Sequence, residues 1–186
     1  MDNVPEEYYP GDSPETLQRK LYCLLEQLQS FHQKLEPEYQ MRIPYELLSG
    51  LANSLLNETI FEIVKGLMEI QHVTEKQLFH QRLQLIRKHE EEFTETLNHQ
   101  VNNNLLTVEE KIKNVCLLKL KQKDELKLLD LNIIRELDKK VRDQQEILEK
   151  AGVPGFYATI KETDLKVQMH LLDFILRLST MKLDIH

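Results

Sequence analysis

Between Tyr45 and Val153 the chain carries no proline, and between Leu67 and Ala151 it carries no glycine. Inside a helix proline costs about 3 kcal/mol and glycine about 1 kcal/mol, so a stretch this long without either suits long helices. The remaining composition agrees. Tryptophan is absent, aromatic residues make up 6% and hydrophobic residues 41%. That hydrophobic share excludes full disorder, and scarce glycine and proline exclude collagen-like and low-complexity classes. At 186 residues the length fits one domain that needs no disulfide framework.

Caps and spacing place the helices. Ser13 is set to cap a first helix over 14–35, with Pro14 in its first turn. Its seam of Leu17, Leu21, Leu24, Leu28, Phe31 and Leu35 advances by alternating fours and threes, which keeps one stripe towards a partner. Pro37 is expected to end it, and a short helix over 45–56 follows Pro44. Thr59-Ile60-Phe61-Glu62 reads as a capping box opening a third helix over 60–101; the overlapping Asn57-Glu58-Thr59 sequon is not read as glycosylated. The start of that helix is apolar all round, through Ile60, Phe61, Ile63, Val64, Leu67, Met68, Ile70 and Val73, and needs neighbours on two sides.

Asn102, Asn103 and Asn104 weaken the helix, and Thr107-Val108-Glu109-Glu110 is a second capping box. A break over 102–107 is therefore expected, followed by a fourth helix over 108–151 with a stripe at Ile112, Val115, Leu126, Leu129, Ile133, Leu137, Val141 and Leu148. Gly152 sits where a left-handed C-cap belongs, with Val153 and Pro154 just beyond. A last helix over 160–181 opens near Thr159 and carries two stripes, Leu165, Met169, Leu172, Leu176 and Val167, Leu171, Phe174, Leu178. The expected fold is all-α: an elongated helical bundle with a long antiparallel helical hairpin, coiled-coil-like. Pairing about the loop centre sets Leu148 against Phe61 and Leu137 against His72. It gives a bundled head and a two-helix stalk on the order of 60 Å long, with its tip near Asn103. The rival is one uninterrupted helix over 60–151, dimerised as a parallel coiled coil. Either leaves apolar surface for a second chain.

The net charge of −7 is uneven. Asp2, Glu6, Glu7, Asp12 and Glu15 precede any basic residue, and Pro5, Pro10 and Gly11 accompany them, so 1–12 reads as a disordered acidic tail ahead of a single helical domain over 13–186. The remainder mixes both signs, as a solvated helical surface does. Cys23 and Cys116 have no metal-ligand spacing, which favours a reducing compartment. No apolar stretch approaches the roughly 20 residues of a membrane span, and nothing resembles a signal peptide. An intracellular protein, nuclear or cytoplasmic, is expected.

Chemistry-bearing motifs are missing. His89-Glu90-Glu91-Glu92-Phe93 starts like a zinc-protease helix but has Phe93 where the second histidine must stand. There is no glycine-rich phosphate loop, and no cysteine, histidine and aspartate arrangement for a nucleophile. No enzyme activity, cofactor or metal is expected. Lys111, Lys113, Lys119, Lys121, Lys123 and Lys127 form one basic run, read as a solvated face, with weak nucleic-acid contact as the alternative. His72 is expected to face the fourth helix and hydrogen-bond between helices.

Two segments go beyond generic helix. One runs from Phe61-Glu62-Ile63-Val64-Lys65-Gly66-Leu67-Met68-Glu69-Ile70-Gln71-His72-Val73-Thr74-Glu75-Lys76 to Gln81-Arg82-Leu83. The other holds Glu136-Leu137-Asp138-Lys139-Lys140-Val141, Asp143-Gln144-Gln145 and Leu148-Glu149-Lys150-Ala151-Gly152-Val153-Pro154-Gly155-Phe156-Tyr157. Together they resemble the gonadal protein family, that of the DiGeorge critical region protein six and its paralogue, and Gln168-Met169 in the last helix adds to the likeness. The resemblance implies coiled-coil-rich, non-catalytic proteins tied to development or gametogenesis, with vertebrate members partly nuclear. It carries over no functional residues. The expectation is a helical adaptor or assembly subunit, a homodimer or part of a hetero-complex, binding protein partners through helical surfaces. Because both segments are expected at the head, the head is expected to be the working surface and the stalk a spacer, and the candidate interaction residues are Glu69, His72, Thr74, Lys76, Asp143, Gln144, Gln145, Phe156 and Tyr157. Of these, Glu69, Thr74, Lys76, Asp143, Gln144 and Gln145 are expected to be exposed.

Overall fold

The computed structural model describes residues 13–181, and the acidic stretch 1–12 lies outside the described residues. Six helices follow one another: α1 (Pro14–Gln33), α2 (Pro37–Arg42), α3 (Tyr45–Ser54), α4 (Thr59–Asn102), α5 (Val108–Lys150) and α6 (Glu162–Thr180). Among the described residues there is no strand. Those up to Met68 and from Arg142 onward form one compact unit, and Glu69–Val141 form a second.

In the first unit α1 packs on α3 and α6. Ser13 caps α1, its hydroxyl accepting from the Thr16 amide at 3.2 Å. The middle of the heptad seam enters the core: Leu24, Leu28 and Phe31 are buried, while Leu17 near the helix start is exposed. They meet Leu48 and Leu51 of α3, Ile60, Val64 and Leu67 of α4, and Leu148 of α5. From α6, Leu171, Phe174, Ile175 and Leu178 join them, so the second of its two apolar stripes is the core stripe. The rings of Phe31 and Phe174 pack tilted at 40°, with centroids 5.6 Å apart.

Several helix starts differ from the sequence reading. Pro37 does more than end α1; it opens α2, where its missing N–H costs nothing. α4 starts one residue early because Asn57, not Thr59, supplies the capping oxygen, accepting from the Thr59 amide at 3.1 Å. α6 starts later, at Glu162, because the Thr159 backbone is claimed by a side chain of α5, described below.

The end of α5 follows its cap signal. Gly152 has φ +78°, the Val153 amide reaches Leu148 O at 3.0 Å and the Gly152 amide reaches Glu149 O at 3.0 Å. This is the two-bond left-handed cap, completed by burial of Val153 and Leu148 together. Gly155 has φ +87°, and a Cβ there would lie 2.6 Å from Leu171 Cδ1. Around Gly152 that space is open.

The second unit is an antiparallel pair. α4 ends at Asn102, and the Thr107 capping box opens α5 at once. The Glu110 amide donates to Thr107 Oγ1 at 3.2 Å, and the Thr107 amide and hydroxyl donate back to Glu110 Oε2 at 2.8 and 3.0 Å. The uninterrupted helix is thereby excluded. The register differs slightly from the centred one, which would set Arg82 against Lys127; Arg82 instead meets Asp130. Helical side chains lean about one residue towards their own N-terminus. In an antiparallel pair the two leans add to about two residues, part of the observed shift, which is three residues for Arg82–Asp130 and five for His89–Glu125.

Gly155→Ala should lower stability by about 2–4 kcal/mol, since it combines left-handed strain with an overlap on Leu171. Gly152→Ala should cost only about 1–2 kcal/mol, from strain alone. Urea unfolding of both variants with an unchanged slope measures the difference.

Candidate functional site

In unit Glu69–Val141 polar groups bridge the helices among half-buried apolar side chains such as Leu78 and Leu85 of α4 and Leu126, Leu129 and Ile133 of α5. Arg82 grips Asp130 through two bonds, Nε to Oδ1 at 2.8 Å and Nη2 to Oδ2 at 3.3 Å, and the carboxylate raises the guanidinium pKa. His89, only 8% exposed, lies 2.9 Å from Glu125 Oε2 through Nε2. The Gln122 amide spans two partners, donating to His89 O at 2.9 Å and to Glu92 Oε2 at 3.2 Å. Lys121 reaches Glu92 at 3.4 Å and Glu125 at 3.8 Å, and Lys119 lies 5.3 Å above the Phe93 ring. Glu125 is held below its ordinary pKa chiefly by the His89 hydrogen bond, and Glu92 chiefly by Gln122. Among the described residues of this unit only His89 and Gln100 are buried, and no apolar side chain is.

The first unit has a different polar centre. Gln145 and Gln168 are 3% and 4% exposed, and Gln145 Nε2 donates to Gln168 Oε1 at 2.9 Å. Gln145 also donates to Thr159 O and accepts from the Thr159 amide, both at 3.2 Å. Gln168 donates to Tyr157 O at 3.1 Å and Gly155 O at 3.3 Å. Two facing amides thus satisfy four backbone groups of the α5–α6 connection, which otherwise has no ladder of its own.

The candidate residues divide between the units. Glu69, His72 and Lys76 are exposed on α4, and Thr74 bonds back to Ile70 O at 2.8 Å. His72 is therefore not the inter-helix histidine; His89 takes that role, because the observed register brings Glu125 to it. Gln144 and Gln145 are not exposed as expected, since the loop consumes Gln145 and Gln144 packs beside it below the surface. Phe156 is buried in the core. Asp143 is half-buried, and Tyr157 is exposed enough for contact, its phenol raised by partial burial and by Asp164. The sequence reading missed Arg82, His89, Glu125 and Asp130 as a set. Their signal was opposite charge or hydrogen-bonding partners at matched depth along two antiparallel helices.

Two hollows are open. One of about 320 Å³ is lined by Lys20, Glu58, Phe61, Glu62 and Lys65 with the end of α6, and Lys20 and Glu58 pair in it at 2.7 Å. The other, of about 570 Å³, lies among Glu95, Thr96, His99, Gln100, Leu106 and Asn114. Among the described residues no cluster could hold a metal ion, and no helix is long and apolar enough to cross a membrane.

The fold and these arrangements define an all-helical protein whose buried polar groups position helices and a loop. More particularly, the chain belongs to the family described as DiGeorge syndrome critical region 6 (DGCR6) protein, whose model matches residues 3–186. It is 47% identical to the gonadal protein gdl of Drosophila melanogaster over 174 residues, 94% of this chain and 87% of that one. It is 40% identical to protein DGCR6 of Gallus gallus over 169 residues, 87% of this chain and 84% of that one. No solved structure matches.

The depressed carboxylates set a sign for pH dependence. Because Glu125 and Glu92 have lower pKa values folded than unfolded, their contribution is complete above the ordinary carboxylate range. It is lost as the pH falls through the lowered folded values. Glu125→Gln should therefore lower the melting temperature at pH 7 and flatten its decline below about pH 4.5, which calorimetry against pH measures.

Proposed function

We propose that this chain is a non-enzymatic assembly subunit, an adaptor that binds protein partners by laying helix against helix. One observation carries the reading. In Glu69–Val141 a second set of apolar side chains, beyond the half-buried ones, faces outward: Phe79, Leu97 and Val101 of α4 and Leu117, Leu120, Leu128, Leu131 and Ile134 of α5 are all exposed. Two helices alone cannot cover such faces, and exposed apolar surface on this scale marks an interaction site. The working surface is then the hairpin. In the first unit Gln145 and Phe156 serve the fold while Tyr157 stays exposed, and in the second unit Glu69, His72 and Lys76 are exposed. The family's association with development suits a subunit of this kind, in the nucleus or cytoplasm.

The nucleic-acid alternative has less support. Of the lysine run, Lys121 is committed to Glu92 and Glu125, and Lys119 to the Phe93 ring.

Replacing Phe79, Leu97, Leu120 and Leu131 together by glutamine should strip associated proteins from the tagged full chain while leaving its helical circular dichroism unchanged. Quantitative co-purification measures this. Undiminished association with the quadruple variant contradicts the reading.

A further inference from the structure

The outer face of α5 has an order of its own. Lys113, Leu117, Leu120, Asp124, Lys127, Leu131, Ile134 and Asp138 succeed one another by steps of 4, 3, 4, 3, 4, 3 and 4. That is an unbroken heptad seam over eight positions. All eight are exposed, and the seam runs down the side of α5 away from Gln122, Glu125 and Asp130, which hold α4. Its four apolar members are 43–59% exposed. Lys113, Asp124, Lys127 and Asp138 make no ion pair or hydrogen bond among the described residues.

Read in the opposite direction, the seam is its own complement. Laid antiparallel on a second copy, Lys113 meets Asp138, Leu117 meets Ile134, Leu120 meets Leu131 and Asp124 meets Lys127. The same four layers then repeat in reverse order. Every layer is apolar on apolar or cation on anion. This is the property required of a two-fold interface, in which residue i contacts j and j contacts i. Other pairings fail. A parallel, in-register pair sets each of the four charged residues on its own like charge. A slide by one heptad sets Leu120 on Asp138 and Asp124 on Ile134, burying lone charges against leucine and isoleucine.

We infer that the partner of the α5 outer face is a second copy of this chain, docked antiparallel about a two-fold axis between Asp124 and Lys127. The inference rests on the helix-to-helix reading above and adds the identity and register of one partner. The interface spans about 38 Å of helix at 1.5 Å per residue. Its four apolar residues expose on the order of 400 Å² per copy, about half of the roughly 800 Å² each partner gives to a standard interface. The aliphatic stems of the seam lysines and the flanking Leu128 extend it. The layers Lys113–Asp138 and Asp124–Lys127 fix direction and register, which apolar layers alone leave free.

The test is sedimentation equilibrium of the purified full chain, with circular dichroism to verify folding. The wild type should be a dimer at about 100 µM, well above a micromolar dissociation constant. Lys127→Asp should raise that constant at least about tenfold, because it sets aspartate on Asp124 in two symmetric layers. Asp124→Lys combined with Lys127→Asp restores opposite charges across the axis and should return the constant to within about threefold of wild type. A monomeric wild type overturns the inference, as does a dimer indifferent to Lys127→Asp or a double variant as weak as the single one. If the wild type is monomeric while the four-glutamine variant still loses associated proteins, the second copy is wrong and the assembly function stands.

Discussion

The reversal of the chain at 103–107 is the constraint on which the hairpin depends. It rests on Thr107 and Glu110, whose side chains satisfy each other's amides and so start α5 where α4 has run out. Three asparagines just before it remove the incentive to continue as helix. Once reversed, two long helices lie side by side, and the choice of what sits between them follows. Here it is Arg82 with Asp130, and His89 with Glu125, flanked by Gln122 and Lys121. Partly exposed pairs of this kind contribute little stability each.

That choice has a consequence for the surface. A pair of helices has one mutual face, and polar groups occupy much of it. Leu118, Leu126, Leu129 and Leu137 of α5 are half-buried, while Leu117, Leu120, Leu128 and Leu131 are turned out to the surface. The head resolves the same problem internally, because α1, α3 and α6 surround the apolar start of α4 and the end of α5. Its one demanding feature is the α5–α6 connection, a segment without regular structure lying against the core. Gln145 and Gln168 meet that demand, each amide using both its donors and its acceptor. Their long neutral side chains can reach backbone groups from a helix without burying charge.

Much of this was legible in the sequence. The caps at Ser13 and Thr107 and the glycine stop at Gly152 depend on neighbours within four residues, and sequence displays such neighbours directly. Thr159 and Thr59 misled for the complementary reason. Thr159 has the right local pattern for a cap, but Gln145, fourteen residues earlier, takes its backbone. At Thr59, a closer competitor, Asn57, supplies the oxygen. The buried glutamines look like surface residues in composition, because their burial is justified only by carbonyls of a distant loop. His72 misled because pairing about the loop centre considers depth along the helix and not the face: it lies about 80–100° round α4 from the face that carries Arg82, His89 and Gln100. The site was thus less legible than the fold: residues that face a partner or a loop are chosen by geometry that local pattern does not encode.

The central claim is that one chain doubles back and lays α5 along α4. Spin labels at Arg87 and Lys123, both exposed, test it most directly once Cys23 and Cys116 are replaced by serine. The labelled chain is diluted into unlabelled chain, so that only distances within a molecule are read by pulsed dipolar spectroscopy. Axes packed about 10 Å apart predict a narrow distribution below about 30 Å. A mean near 54 Å, about 1.5 Å for each intervening step of a continuous helix, would contradict the account.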